Sequence, residues 1–104
     1  MQSLKPITLV LAALLATMIM ATACETAPPV QEMSDARQAI AVAREAGAEA
    51  HAAAELFAAE QYLESAEQKL NDQQFAEARR DALQAKMKAQ DARQLSEESQ
   101  SGND

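Results

Sequence analysis

The sequence predicts an all-α protein: an antiparallel alanine-rich helical hairpin of two to three helices that follows an export signal. Three observations support this fold class. Alanine supplies 20 of the 81 residues after position 23, and no proline occurs after Pro29. Apolar residues recur at steps of three and four, which is the period of one helix face. Asn71 and Asp72 interrupt that repeat once, as turn-forming residues do where a chain reverses.

Length and composition limit what such a fold can do. Removing residues 1–23 from 104 leaves 81, which is enough for one small domain. Leu, Ile, Val and Phe supply only 10 of these, below the roughly 20% at which a strongly charged chain is suspected of disorder. A thick globular core is therefore excluded. The formal charge of −7 becomes −8 without Lys5, which disfavours nucleic acid and anionic membrane faces as electrostatic partners.

The first 23 residues have the pattern of a secretory signal peptide. Lys5 precedes an apolar run over residues 7–20, and the small residues Ala21-Thr22-Ala23 follow it. A membrane-spanning anchor is the alternative, but the 17 residues of 7–23 are at the short limit of the roughly 17 to 25 that a span needs. We therefore expect residues 1–23 to be removed on export.

Cys24 follows these small residues directly and is the only cysteine of the chain. The run Ala21-Thr22-Ala23-Cys24 resembles the lipobox of bacterial lipoproteins, although Leu is commoner at position 21. The resemblance implies cleavage by signal peptidase II between Ala23 and Cys24, with a diacylglycerol and an amide-linked acyl chain added to Cys24. Two or three such chains anchor a protein stably. Glu25 stands where Asp is the usual inner-membrane retention signal, which implies the periplasmic face of the outer membrane.

The chain after Cys24 is predicted to begin as a tether and then to become helical. Pro28 and Pro29 favour extended backbone, so residues 24–33 form the expected tether. Ser34 is a suitable N-cap for a first helix. One face of that helix carries small or apolar residues at steps of four and three: Ala36, Ile40, Ala43 and Gly47. Gly47 leaves two possibilities, because it either caps this helix or weakens one that runs on through it.

Two further segments have sharper periods and predict the arms of the hairpin. The second helix has a repeat of Leu and Ala at Leu56, Ala59, Leu63, Ala66 and Leu70. The third has an almost pure alanine repeat at Phe75, Ala78, Ala82, Ala85, Ala89 and Ala92. The step of five from Leu70 to Phe75 breaks the phase, and Asn71 and Gln74 have the spacing of a capping box. We therefore predict a tight turn at 71–74, a helical domain over 34–95 and a disordered tail over 96–104.

Charge also favours pairing of the two arms. Residues 53–70 carry a net charge of −3, whereas residues 75–95 carry +2. Neighbouring carboxylates within the acidic helix repel each other, so we expect that helix to lie beside the basic one.

Four stretches resemble the domain of unknown function 4398 of small Gram-negative lipoproteins: Ala46-Gly47-Ala48, Ala54-Glu55-Leu56, Ala66-Glu67-Gln68-Lys69-Leu70 and Phe75-Ala76-Glu77-Ala78-Arg79-Arg80-Asp81-Ala82. The resemblance covers about residues 34–93. It implies an α-helical module of the cell envelope with no established activity. The Gly-Asp-Tyr common at the family's turn reads Gln73-Gln74-Phe75 here. No OmpA-like domain follows, so direct cell-wall binding is not implied.

The residue inventory predicts neither an enzyme nor a metal protein. His51 is the only histidine and Cys24 is expected to carry lipid, so no Cys/His metal cluster or nucleophile pair can form. His51 is expected to be a solvated helix or turn residue. The carboxylates are expected on an exposed face without the apolar wall that general acid/base catalysis uses. We expect no cofactor beyond the acyl chains of Cys24, no metal and no nucleic acid.

Two classes of function remain open, with a small enzyme as a distant third. The first is a lipid-anchored, periplasm-facing helical module that docks on an envelope protein or self-associates. Four large side chains off the seams are its candidate partner-facing residues: Phe57, Tyr62, Leu83 and Met87. The second is a Braun-type alanine-zipper lipoprotein that forms a long parallel trimeric coiled coil. The predicted turn at Asn71 and the absence of a terminal lysine argue against this rod.

Overall fold

The computed structural model describes residues 6–14 and 27–102, and all regular structure within these ranges is helical. Residues 6–14 are helical and exposed. None of the helices in the described ranges has the length and hydropathy that crossing a membrane requires. Four helices follow: α1 (Val30–Glu45), α2 (Ala48–His51), α3 (Ala53–Asn71) and α4 (Phe75–Ser101). The prediction of an all-α protein is confirmed.

The three longer helices pack as an up-down-up bundle. Two ion pairs join α1 to α3, and residue numbers rise along one helix as they fall along the other: Arg37–Glu67 and Arg44–Glu60. Two contacts join α1 to α4 with numbers rising along both: Glu32–Arg79 and Ala46–Gln100. Helix α3 is therefore antiparallel to both neighbours. The predicted hairpin of two to three helices is a three-helix bundle, whose last two arms are α3 and α4.

The core is a narrow seam made mostly of alanine. In α4 every third or fourth side chain is buried: Ala78, Ala82, Ala85, Ala89, Ala92 and Ser96. The other long helices contribute Met33, Ala36, Ile40, Ala43, Leu56, Ala59 and Ala66. Leu63 and Leu70 pack against the core while partly exposed. The predicted seams are therefore present, with the side chain of Phe75 only half-buried at the start of α4.

The helical domain extends beyond the predicted limits of 34–95 at both ends. Helix α1 begins at Val30 rather than after Ser34, because Met33 packs against Ala66 and Ala82 in the core and is only 2% exposed. Residues 30–33 of the predicted tether are therefore helical. Residues 96–101 of the predicted disordered tail are helical as well, since α4 continues to Ser101. Ser96, at the start of that tail, is fully buried and donates a hydrogen bond to the Ala92 carbonyl at 2.7 Å.

Gly47 caps α1, which decides between the two possibilities left open by the sequence. Its φ of 92° is in the left-handed region that favours glycine, and its N–H donates to the Arg44 carbonyl at 3.0 Å. A Cβ atom at this position would lie 2.8 Å from Nε2 of Gln100. The glycine therefore allows both the backbone turn and the close approach of α4.

The turn at 71–74 is present, but backbone groups close it. The N–H groups of Gln74 and Gln73 donate to the carbonyls of Lys69 and Leu70 at 2.8 and 3.0 Å. This is the Schellman arrangement, which satisfies the last carbonyls of a helix. Gln74 is the N-cap of α4 and makes no side-chain capping bond, so the predicted capping box is wrong. Gln73 has a φ of 60°, and no other non-glycine residue of the described ranges has a positive φ.

The acidic α3 lies beside the basic α4, as net charge predicted, but ion pairs between these two arms do not account for it. Within the described residues, Lys69–Asp81 is the one ion pair between α3 and α4, and its signs are the reverse of those expected. The carboxylates of Glu60 and Glu67 instead pair with arginines of α1. A net charge summed over a whole helix ignores the face on which each charged side chain lies. The helix packed against that face determines which opposite charge it pairs with.

Replacing Gln73 by glycine is expected to stabilise the domain by about 0.5–1 kcal/mol. The left-handed conformation costs an ordinary residue roughly 1–2 kcal/mol, part of which is offset because glycine loses more entropy on folding. Urea unfolding of the chain followed by circular dichroism measures the change. The matched control is Gln74→Gly, whose φ of −87° gives glycine no advantage. A lower midpoint for Gln73→Gly than for the parent chain would contradict the expected relief of strain.

Candidate functional site

The four predicted partner-facing side chains all lie at the surface of the hairpin. Phe57 is 62% exposed and Tyr62 is 36% exposed on α3, while Leu83 is 45% exposed and Met87 is 54% exposed on α4. None of them belongs to the alanine seam. Large apolar side chains in water commonly mark a binding surface when they are grouped. Their contact with a partner remains a prediction.

Phe57 and Tyr62 share a groove that runs along α3 and reaches Asp81 of α4, whereas Leu83 and Met87 do not line it. This aromatic groove has a volume of ≈ 550 Å³ and is lined by Phe57, Ala58, Gln61, Tyr62, Ser65, Lys69 and Asp81. Leu83 and Met87 are separated by one helical turn on α4, so they form a second pair on a face of their own. The structure thus divides the predicted set into one pair on each helix.

Three polar side chains close one end of the aromatic groove. The Ser65 hydroxyl and the Lys69 ammonium both donate to Oδ2 of Asp81, each at 2.6 Å. Burial by itself would raise the pKa of Asp81, whereas the hydrogen bonds from Lys69 and Ser65 lower it. With the added positive charges of Lys69 and Arg80, the pKa of the Asp81 carboxyl lies below its ordinary value of 3.8. Asp81 therefore stays ionised at neutral pH.

This cluster of Ser65, Lys69 and Asp81 holds α3 and α4 in register. A serine nucleophile needs a base that is free to accept its proton, whereas here the hydroxyl and the ammonium both point at one carboxylate oxygen. Composition and helical period do not single out these residues. The spacing of Ser65 and Lys69 places them on one helix face, but only the register across the turn brings Asp81 to them.

The remaining sequence-predicted sites lie apart from the aromatic groove. His51 is exposed, as predicted, with its Nδ1 3.2 Å from Oγ of Ser99. Across residues 6–14 and 27–102, no three side chains of His, Cys, Asp or Glu are grouped as a metal site would require. The predicted cleavage and lipidation residues, Ala23 and Cys24, lie outside the described residues.

The described residues just before α1 pack against α4. The Ala27 carbonyl accepts a hydrogen bond from Nη2 of Arg79 at 2.9 Å, and Pro29 is buried at the start of α1. Arg79 also pairs with Glu32 at 3.2 Å. The residues just before α1 are thus attached to the first turns of α4, at the end of the bundle that contains the turn at 71–74.

Residues 31–104 match the family described as "Domain of unknown function (DUF4398)". The chain belongs to the DUF4398 family. This confirms the resemblance seen in the sequence, and the matched range takes in α1 from its second residue as well as the whole hairpin. No curated protein and no solved structure matches the chain.

The turn of this DUF4398 domain shows what one departure from the family pattern does. The resemblance gives glycine as the common residue where this chain has Gln73. In the structure that position has a φ of 60°, the conformation in which glycine avoids the steric cost of a Cβ. The turn therefore keeps its geometry without its favoured residue, because the Schellman hydrogen bonds and the packed arms on either side fix it.

Replacing Asp81 by asparagine is expected to destabilise the domain by about 1–2 kcal/mol at pH 7, because the hydrogen bonds from Ser65 and Lys69 lose the negative charge that strengthens them. The pKa of Asp81 is lower in the folded than in the unfolded chain, so its stabilisation is complete above the unfolded value of 3.8 and is lost as pH falls through the folded value. The difference in the free energy of unfolding between the parent chain and Asp81→Asn should therefore become smaller below about pH 4.

Urea unfolding of the parent chain and of Asp81→Asn at pH 7 and at pH 3 measures this dependence. The matched control is Asp91→Asn, an exposed carboxylate of the same helix that forms none of the ion pairs among the described residues. Equal destabilisation by Asp81→Asn at both pH values would show that the carboxylate acts through its shape rather than its charge.

Proposed function

We propose that this DUF4398 chain is a lipid-anchored, periplasm-facing helical module without catalytic activity that binds an envelope protein through the outer faces of α3 and α4. One observation carries the proposal. Within residues 27–102, three large aliphatic side chains are buried, whereas six large apolar ones are exposed: Val30, Phe57, Tyr62, Leu83, Met87 and Leu95. A fold that leaves more large apolar side chains in water than in its core is suited to a protein contact.

The lipid anchor is proposed from the lipobox pattern that ends at Cys24. Pro29 lies five positions after Cys24, and five extended residues span at most about 18 Å. The bundle would therefore stand close to the membrane, with the turn at 71–74 at the near end and Gly47 at the far end. Such a short connection gives neighbouring copies a common orientation. Glu25 places the proposed anchor on the periplasmic face of the outer membrane by resemblance.

The Braun-type zipper is the second candidate, and the described packing argues against it. A parallel trimer needs a long straight helix whose alanine seam is free to meet two other chains. In this chain the seam of α4 is already buried against α1 and α3. The breaks at Gly47 and at residues 71–74 also fold the chain back on itself. The interaction module is therefore the better-supported proposal.

Replacing Cys24 by serine is expected to abolish acylation, because serine lacks the thiol that receives the diacylglycerol. The precursor should then escape globomycin-sensitive cleavage and keep residues 1–23. Mass spectrometry of the amino terminus measures both the missing acyl chains and the retained residues. The matched control is Thr22→Ser, which keeps a small residue in the lipobox and should be processed normally. An unmodified Cys24 in the parent chain would end the proposal of an anchor.

A photo-crosslinking amino acid at Gln61, between Phe57 and Tyr62 on α3, tests the proposed binding surface in the cell envelope. We expect it to capture a protein, because this position is exposed beside the aromatic groove. The matched control position is Ala41, on the exposed side of α1. Adducts of equal yield from both positions, or none from Gln61, would contradict a contact specific to α3.

A further inference from the structure

We propose that the partner of these faces is a second copy of this chain, which stands beside the first on the same membrane. In this contact the α4 face of one copy, defined as Arg80, Leu83 and Met87, lies against the α3 face of the next, defined as Phe57, Gln61 and Glu64. The inference rests on the proposed function, because an anchor at Cys24 gives neighbouring copies the same orientation with respect to the membrane.

The two faces have complementary spacing. The α3 face steps by four and then three residues, and the α4 face steps by three and then four. Within the bundle α3 and α4 run in opposite directions. Two upright copies therefore present α3 of one antiparallel to α4 of the next, and the two spacings coincide. Three pairs then form together: Phe57 with Met87, Gln61 with Leu83 and Glu64 with Arg80.

The heights of the two faces above the membrane also agree. Ser65 donates directly to Asp81, so these two positions are level within one copy. Counting six residues away from the turn along each helix leads from Asp81 to Met87 and from Ser65 to Ala59. Met87 on α4 is therefore level with Ala59 on α3. Phe57 lies two residues beyond Ala59, and the other two pairs differ by the same step. A rise of 1.5 Å per residue makes this a uniform offset of about 3 Å, well under one helical turn.

The exposed charges favour contact between an α3 face and an α4 face over contact between two like faces. Glu64 and Arg80 are exposed, and neither takes part in an ion pair among the described residues. Their neighbours Glu60, Glu67 and Arg79 are already paired with α1. Between upright copies, two α3 faces would oppose glutamates and two α4 faces would oppose arginines. Only unlike faces bring the two free charges together as an opposite pair, which favours this arrangement over both alternatives.

The contact is heterologous, because each copy uses one face on one side and the other face on the other. Such a contact does not close on itself in a pair of molecules. It continues as a row, or as a ring if the rotation between copies closes. The inference therefore predicts lateral assemblies of this chain on the membrane rather than a symmetric dimer.

Disulfide crosslinking of the full chain in its membrane tests this geometry with Gln61→Cys and Leu83→Cys. Acylation occupies Cys24 under the proposed function, so the introduced thiols are the free ones. Co-expressed single variants should form a disulfide-linked dimer on mild oxidation, since a disulfide needs Cα atoms roughly 4.4–6.8 Å apart. One chain with both substitutions should form a ladder of dimers, trimers and larger species. Dimers of equal yield from either single variant alone would overturn the heterologous contact.

Charge reversal provides the second test. Glu64→Arg and Arg80→Glu should each lower the crosslink yield at least about tenfold, because like charges then face each other. A chain with both reversals should regain the yield. Glu45→Arg is the matched control, since this exposed glutamate of α1 lies on neither face. Circular dichroism of each variant checks its helix content. Reversals that change the yield no more than Glu45→Arg does would overturn the inference.

The failure of this inference is distinguishable from the failure of the proposed function. If Gln61 captures a different envelope protein while the mixed cysteine pair gives no dimer, the contact between copies is wrong and the proposed function stands. If Cys24 is unmodified and the chain does not fractionate with membranes, the proposed function is wrong. Loss of the ladder in that case overturns the contact between copies as well, because its orientation depends on the anchor.

Discussion

The close contact of three helices along an alanine seam is the constraint on which the rest of the structure depends. The alanines of α4 are fully buried from Ala78 to Ala92. Short side chains let helix axes approach to the near end of the usual 8–10 Å, so contact comes from backbone and Cβ atoms rather than from large side chains. Phe57 and Met87 occupy helix positions away from this seam, so they lie on the outside and contribute to the candidate binding surface.

A seam of identical small residues specifies helix contact better than it specifies register. Sliding one arm of the hairpin by seven residues places alanine against alanine again. The structure fixes the register by other means. Ser65 and Lys69 donate to Asp81 across the hairpin, and Gly47 admits the side chain of Gln100 from α4 at the other end of the bundle. These polar and backbone contacts contribute specificity beyond their modest share of the stability.

The direction in which the exposed faces point depends on where the residues before α1 are held. The residues before α1 are attached to α4 through Arg79, beside the turn at 71–74. An anchor a few residues upstream would orient the bundle with respect to the membrane. The exposed faces of α3 and α4 would then point along the membrane, where a neighbouring copy could contact them. The family is one of unknown function, so the evidence for a function comes from the surface itself.

The sequence by itself determined the all-α class, the seam positions of the hairpin, the turn at 71–74 and the family, because helical period and turn chemistry are local properties of the chain. The early start of α1 required the burial of Met33 against Ala66 and Ala82, which lie far away in sequence. The partners of the charges, and the site at Asp81, depended on how each helix is rotated toward its neighbours. Rotation and register follow from packing between distant segments, so only the tertiary structure decided them.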